Sequence, residues 1–276
     1  MEQLGTDEYS GSTMTKVTDQ MGRVIAVPNR PQRIISLVPS QTELLFDIGL
    51  DREIVGVTKF CVHPAERVQT KQRVGGTKRL ELDAIDRLRP DLIIGNKEEN
   101  ERDDILKLAE SCPVWMSDVV KLADALDMIR RVGRLVGKAD ASDRLAARIE
   151  AGFAELRPLA RPLRVGYFIW QEPLMVAGQN TFINDMLRGC GMENAFAAES
   201  GGRYPELSTE DVSAAGLDAI LLASEPFPFG TKHRAAFAEQ FAGVPVHLVD
   251  GEVFSWYGSR LLFAVDYLRE LLDTLE

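Results

Sequence analysis

Residues 33–50, RIISLVPSQTELLFDIGL, constrain the fold more than any other stretch of the chain. Ile34, Ile35, Leu37 and Val38 read as a buried strand, followed by a Pro-Ser turn and a helix. Ser40 stands at the N-cap position with Glu43 three residues later, the spacing of a capping box. Leu44, Leu45 and Ile48 mark one helical face, and Gly49 ends it. A strand that runs into a helix N-terminus leaves free backbone N–H groups at the carboxyl end of a sheet. Open α/β sheets bind ligands at that end. No nucleophile elbow, Walker glycines or G-x-G-x-x-G accompanies the turn, so it reads as a ligand cleft before it reads as a catalytic centre.

The same alternation continues. Strands are predicted at 34–38, 54–57, 92–95 and 114–116, and helices at 41–48, 83–88 and 101–111, after a small hairpin over 17–27. From Leu122 to Leu156 the pattern is helical, with Leu145, Ile149, Phe153 and Leu156 on one face. The alternation then resumes, with strands at 164–170, 217–223 and 246–250 and helices from Thr181 and over 259–275. LELDAIDRLRPDLII and LSTEDVSAAGLDAILL form a weak internal repeat. The fold class is therefore α/β: two Rossmann-like lobes with mostly parallel central sheets, joined by one long α-helix. The expected division is a disordered tail at 1–16, an N-terminal lobe at 17–138, a linking helix at 139–162 and a C-terminal lobe at 163–276.

Charge narrows the function. The 276 residues carry 42 acidic and 32 basic side chains, a net charge of −10, which disfavours nucleic acid and anionic membrane as partners. No apolar run reaches membrane-spanning length. MEQLGTDEYSGSTMTK has neither a basic n-region nor an apolar h-region. That predicts a cytoplasmic protein, or a periplasmic or cell-surface one if the N-terminus is incomplete. Cys61, Cys112 and Cys190 are too few, and odd in number, for a disulfide framework.

Residues 18–49, 87–95, 168–196 and 207–222 resemble, in order, the substrate-binding proteins that serve metal-chelate ABC importers, with their helical-backbone (class III) periplasmic binding protein fold. The resemblance implies a non-enzymatic, monomeric protein that holds a ferric siderophore, haem or cobalamin-like corrinoid in a cleft between two lobes. The chelated iron or cobalt would come with the ligand, and no covalent cofactor is implied. It also implies a permease partner, met by a carboxylate near the start of a helix on each lobe. The residues matching that pair are Asp83 and Glu210, with Glu81 and Asp211 beside them. As plain chemistry, each is equally a good helix-start residue. The competing reading is a cytoplasmic metallochaperone or tetrapyrrole chelatase-like enzyme, which needs an accessible histidine with an acidic partner.

In such a fold the cleft-side loops carry the candidate ligand contacts. In the first lobe these are Ser40, Phe60, Cys61, His63, Thr77, Lys78, Asn96 and Lys97, with Arg79 and the Gly75-Gly76 turn alongside. In the second they are Trp170, Arg203, Tyr204, Trp256 and Tyr257, with Gly201-Gly202. Loop aromatics suit a flat macrocycle, and basic side chains suit its carboxylates or phosphate. Cys61 and His63, spaced C-x-H on an extended segment, would share a face and meet one soft metal. The alternative is a buried cysteine beside a surface histidine. His233 in a polar loop and His247 in a strand read as unrelated, and Cys112 and Cys190 as packing residues.

Overall fold

The structure, a computed structural model, describes residues 14–198 and 202–275. Residues 1–13 of the expected tail and Gly201 lie outside that range, whereas Met14–Lys16 belong to the first strand. The chain divides into two compact units. One holds the residues up to Asp118 together with Arg131–Ala141; the other holds Val119–Arg130 and the residues from Ser142 onward.

The first unit opens with an antiparallel hairpin, β1 (Met14–Thr18) and β2 (Val24–Pro28). Then come β3 (Ile34–Ser36), α1 (Pro39–Asp47), β4 (Ile54–Val57), α2 (Ala65–Val68) and β5 (Gln72–Arg73). The two-residue strands β6 (Gly75–Gly76) and β7 (Arg79–Leu80) pair with each other. α3 (Leu82–Leu88), β8 (Leu92–Asn96), α4 (Arg102–Leu108) and β9 (Val114–Ser117) complete the unit's own run. The sheet order is β5-β4-β3-β8-β9, parallel throughout. Ile34, Ile35, Leu92, Ile93 and Ile94 are fully buried, as expected of strands covered on both faces. Gly56 on β4 has no Cβ because Leu88 of α3 packs there; one would stand 2.8 Å from Leu88 Cδ1. The chain visits β4 and β5 on one side of β3, then returns to β8 and β9 on the other. β3 is thus the topological switch point, and its carboxyl end is the place for a ligand.

α5 (Leu122–Leu135) and α6 (Ala139–Ala154) follow, separated by a turn in which Gly137 takes φ 71°. α6 alone lies within the linking segment expected over 139–162 and stops at Ala154, and the unit boundaries fall inside both α5 and α6. Arg157–Pro162, with prolines at 158 and 162, are not helical.

The second unit continues with β10 (Leu163–Trp170), β11 (Leu174–Val176), α7 (Phe182–Gly189), β12 (Met192–Asn194) and β13 (Glu206–Leu207). Next are α8 (Thr209–Ala214), β14 (Ala219–Ala223), α9 (Thr231–Gln240), β15 (Val246–Val249), α10 (Gly251–Ser255) and α11 (Leu261–Leu275). The sheet order is β13-β11-β10-β14-β15, with β12 also against β10. β12, β14 and β15 run parallel to the chain at β10, and β11 runs antiparallel. One face buries Phe168, Phe196, Ile220, Leu222, Phe229 and Phe237 in a shared core. On the alternate face Tyr167 packs on Phe254, with ring centroids 5.1 Å apart. α11 buries Leu261, Ala264, Val265, Leu268, Leu271 and Leu272, a helical stripe. β10 lies between β12 and β14, so its carboxyl end at Trp170 is the second switch point.

Candidate functional site

In the first unit, the loops after β4 and β8 and the β6–β7 hairpin are stitched into one surface. Lys59 N donates to Gly75 O at 2.8 Å. Asn100 Nδ2 donates to Thr77 O at 3.1 Å, while its Oδ1 accepts from Asn96 N at 2.9 Å. Lys78 Nζ donates to Glu98 O at 2.6 Å. The fold therefore brings together Phe60, Thr77, Lys78, Asn96 and Lys97. Their states differ. Phe60 is 51 % exposed, with Lys59 Nζ 5.0 Å from its ring centroid. Lys97 is half-exposed and paired with Asp118 at 2.5 Å. Asn96 is buried, donating to Ser117 O and Oγ and accepting from Glu98 N and Glu99 N, so it shapes its loop from within. Thr77 is buried as well.

Three expectations fail in this unit. Ser40 is not an N-cap: α1 starts at Pro39, capped by Val38 without a side-chain bond, and Ser40 is buried as its second residue. Proline is pre-set for the first helical position, and the helix starts two residues earlier than expected, at 39 instead of 41. Buried Ser40, Gln41 and Thr42 cover the first turn of α1. Cys61 is not available to a ligand. Its Sγ is buried beside Thr42 Oγ1 at 3.1 Å and Thr58 Oγ1 at 3.3 Å, and burial pushes the thiol above its usual range. Cys61 closes a turn that begins at Thr58, its N bonded to Thr58 O, and the turn carries the thiol inward. Cys61 points into the core while His63 stays half-buried. The pair does not form a shared metal face, and no cluster of three metal-ligating side chains occurs among the described residues.

In the second unit Trp170 is 39 % exposed, its Nε1 donating to Glu172 O, with Phe227 edge-on at 5.5 Å. Trp256 and Tyr257 are not open platforms: both are buried. Trp256 ends α10 and turns inward, where Nε1 donates to Glu225 Oε1 at 2.8 Å and Arg260 stacks on the indole at 4.9 Å. Tyr257 packs edge-on against Phe182. Arg203 O accepts from Gly178 N, one residue past Ala177, which bonds to Tyr167 O. Arg203 is therefore level with the interior of β10, away from its carboxyl end. Half-buried Tyr204 adds to the field around the Tyr167 hydroxyl. His233 lies in α9, where its Nδ1 accepts from Gly230 N at 2.9 Å and its ring touches Phe227 and Phe229.

Sequence reasoning missed Glu225. It follows β14, directly at the carboxyl end of the sheet. Its Oε1 accepts from Trp256 Nε1 and from Ser255 Oγ at 2.9 Å, and burial holds the carboxyl above the usual glutamate range. The available signal was an acid set among aromatics, EPFPF, immediately after a buried strand. A cavity of about 580 Å³ is lined by Pro162, Gln179, Asn184 and Arg188, among others. Pro162 precedes β10, so that cavity is at the amino end of the sheet, the wrong end for the switch-point rule.

Asp83 and Glu210 are exposed, each the second residue of its helix, α3 and α8. The capping box of α8 is made by Ser208 and Asp211, which leaves Glu210 out of the cap.

Each unit carries an exposed aromatic on a strand-end loop, Phe60 in the first and Trp170 in the second, as ligand-binding α/β sheets do. Residues 34–246 match the family described as "Periplasmic binding protein", and the chain belongs to it. The vitamin B12-binding protein of Pectobacterium carotovorum subsp. carotovorum (strain PC1) is 28 % identical over 251 residues, covering 89 % of this chain and 90 % of that one. The uncharacterized ABC transporter substrate-binding lipoprotein YvrC of Bacillus subtilis (strain 168) is 23 % identical, covering 92 % and 84 %. Among solved structures, the periplasmic heme-binding protein RhuT from Roseiflexus sp. RS-1, in apo form, has a TM-score of 0.75 and 26 % identity, covering 88 % and 97 %. These relatives are named as binding proteins, and this chain is likewise a binding protein and not an enzyme. No described helix is long and apolar enough to cross a membrane.

Proposed function

We propose that this protein binds a metal chelate for an ABC-type importer, with a cobalt corrinoid as the foremost ligand. The observation that carries the reading is the pair of exposed aromatics at strand-end loops, Phe60 in the first unit and Trp170 in the second. Large, stiff rings left in water at such loops are what a flat macrocycle stacks on. The B12-binding relative, matched over nine-tenths of its length, supports the corrinoid. So does the burial of Cys61, which removes a thiolate from reach and favours a chelate that brings its own metal ligands. Haem is the next ligand to test, on the likeness to RhuT.

The importer reading supplies a role for Asp83 and Glu210. Among the described residues neither carboxylate has a hydrogen bond or ion pair, and both are open to a basic partner surface. The matching location is outside the cytoplasmic membrane, in line with the periplasmic and lipoprotein names of the relatives. The cytoplasmic expectation finds no support in them. Titrating the purified protein with cyanocobalamin, hemin and a ferric siderophore, followed by tryptophan fluorescence and native mass spectrometry, tests the proposal. Saturable one-to-one binding of cyanocobalamin is expected. Binding of none of the three would refute the chelate reading.

A further inference from the structure

We propose that Glu225 sets ligand specificity at the second unit's strand ends by donating a hydrogen bond from Oε2 to an oxygen acceptor of the ligand, an amide carbonyl or a carboxylate. This rests on the chelate-binding reading and adds the chemistry of one contact. The two carboxyl oxygens are treated unequally. Oε1 accepts from Trp256 Nε1 at 2.8 Å and lies 2.9 Å from Ser255 Oγ, whose single proton is shared with Gly251 O at 2.8 Å, whereas Oε2 has no hydrogen-bond partner among the described residues. A neutral carboxylic acid has this asymmetry: one oxygen accepts and the other carries the proton. The side chain is also fixed in place. Gly251 opens α10 against it, and a Cβ there would stand 2.6 Å from Glu225 Cγ. Glu225 is half-buried between exposed Ser224 and exposed Pro226, so part of it faces outward.

The surroundings disfavour an ionised Glu225. Asp250 and Glu252 of the α10 segment add negative charge, and burial is the largest cause of the raised pKa. The Trp256 and Ser255 donors pull the other way. From β10 comes the Tyr167 hydroxyl, fully buried and neutral, from α11 comes Tyr267, and Arg260 stands just before α11. Arg260 is engaged by Glu252 at 2.9 Å and by the Trp256 face. No described cation is left to pair with Glu225. An acid that donates selects ligands bearing carbonyl or carboxylate oxygens over ammonium groups.

The test is cyanocobalamin titration of the wild type, Glu225→Ala and Glu225→Gln over a pH series that starts in the ordinary glutamate range and runs upward. Glu225→Ala should weaken binding about tenfold, the worth of one buried hydrogen bond. Glu225→Gln, which places an N–H donor at the same position, should recover most of that loss. Wild-type affinity should fall as pH rises through the ionisation of Glu225, and Glu225→Gln should lack that slope. Affinity that rises with pH, or a Glu225→Gln variant as weak as Glu225→Ala, would overturn the proposal, since both mean that the ionised group accepts. If the wild type binds no cyanocobalamin, the chelate reading fails by itself. Glu225 is then judged on ¹³C-carboxyl NMR, its signal being the one missing in Glu225→Gln. Titration above the ordinary glutamate range supports the donor; titration within or below that range refutes it.

Discussion

The indole Nε1 of Trp256 donates to Oε1 of Glu225 across 2.8 Å, tying the loop after β14 to the end of α10. Trp256 is the buried member of the pair, so its truncation tests folding before it tests binding. Trp256→Ala should destabilise the protein by about 3–5 kcal/mol, as large buried aromatics do on removal. Trp256→Phe keeps most of the volume and deletes the donor. It should cost about 1–3 kcal/mol, because Glu225 keeps only the Ser255 bond. Urea unfolding measures both. A Trp256→Phe variant as stable as wild type would show that the bond contributes nothing net.

The exposed rings behave differently. Phe60 and Trp170 have little packing to lose, so Phe60→Ala and Trp170→Ala should stay within about 0.5–1 kcal/mol of wild-type stability. Each should lose about 1–3 kcal/mol of cyanocobalamin affinity if it is a stacking platform. Calorimetric titration decides it. Unaltered affinity in both variants would remove the aromatic platform from the model.

The three thiols give a probe that needs no ligand. Cys61, Cys112 and Cys190 are buried, and burial pushes Cys112 and Cys190 up to about 12. Thiolate is the reactive form, so at mildly alkaline pH the native protein should resist Ellman's reagent, and all three thiols should react in denaturant. Rapid native reaction of Cys61 would contradict its enclosure by Thr42 and Thr58 and reopen it as a ligand contact.

What was legible in the sequence was local. The apolar run Ile34–Val38 forms β3, although the strand proper stops at Ser36, and LDAILLA supplies β14. Helix starts were read with less accuracy where two rules compete. At 38–43 the S-x-x-E spacing argues for Ser40 as the cap, yet Pro39 fixes the first helical φ and the helix begins there. The Cys61–His63 reading failed because Thr42 and Thr58 enclose the Cys61 thiol in the core, a tertiary contact that the C-x-H spacing does not encode. The Glu225–Trp256 bond spans 31 residues and two loops, so no spacing rule reaches it. Phe60 and Asn96 lie where loops after parallel strands converge by topology, and Asn100 ties the β6–β7 hairpin carrying Thr77 and Lys78 to them, so their grouping follows from the fold.

Glu225 also makes folding stability depend on pH. Its folded pKa is raised above the unfolded value, so the folded state keeps a proton that the unfolded chain releases. This group's contribution is therefore most favourable below the ordinary glutamate pKa and is lost as pH rises through the raised one. Urea midpoints of the wild type should decline over that window relative to Glu225→Gln. Parallel profiles would mean that the group ionises alike in both states.

Asp83 and Glu210 separate docking from helix capping. Each is the second residue of a short helix, where a carboxylate also favours the helix dipole. In α8, however, the capping box belongs to Asp211, whose carboxyl is held low by Ser208. This makes Asp211 the control. Asp211→Ala should lower the melting temperature and leave uptake per folded molecule unchanged. The double variant Asp83→Lys with Glu210→Lys should keep its fold and its cyanocobalamin titration, because both side chains are exposed and neither has a hydrogen bond or ion pair among the described residues. It should abolish transport in cells or proteoliposomes carrying the cognate permease. Full transport by that double variant, with Asp211→Ala behaving as expected, would reduce the pair to ordinary surface charge.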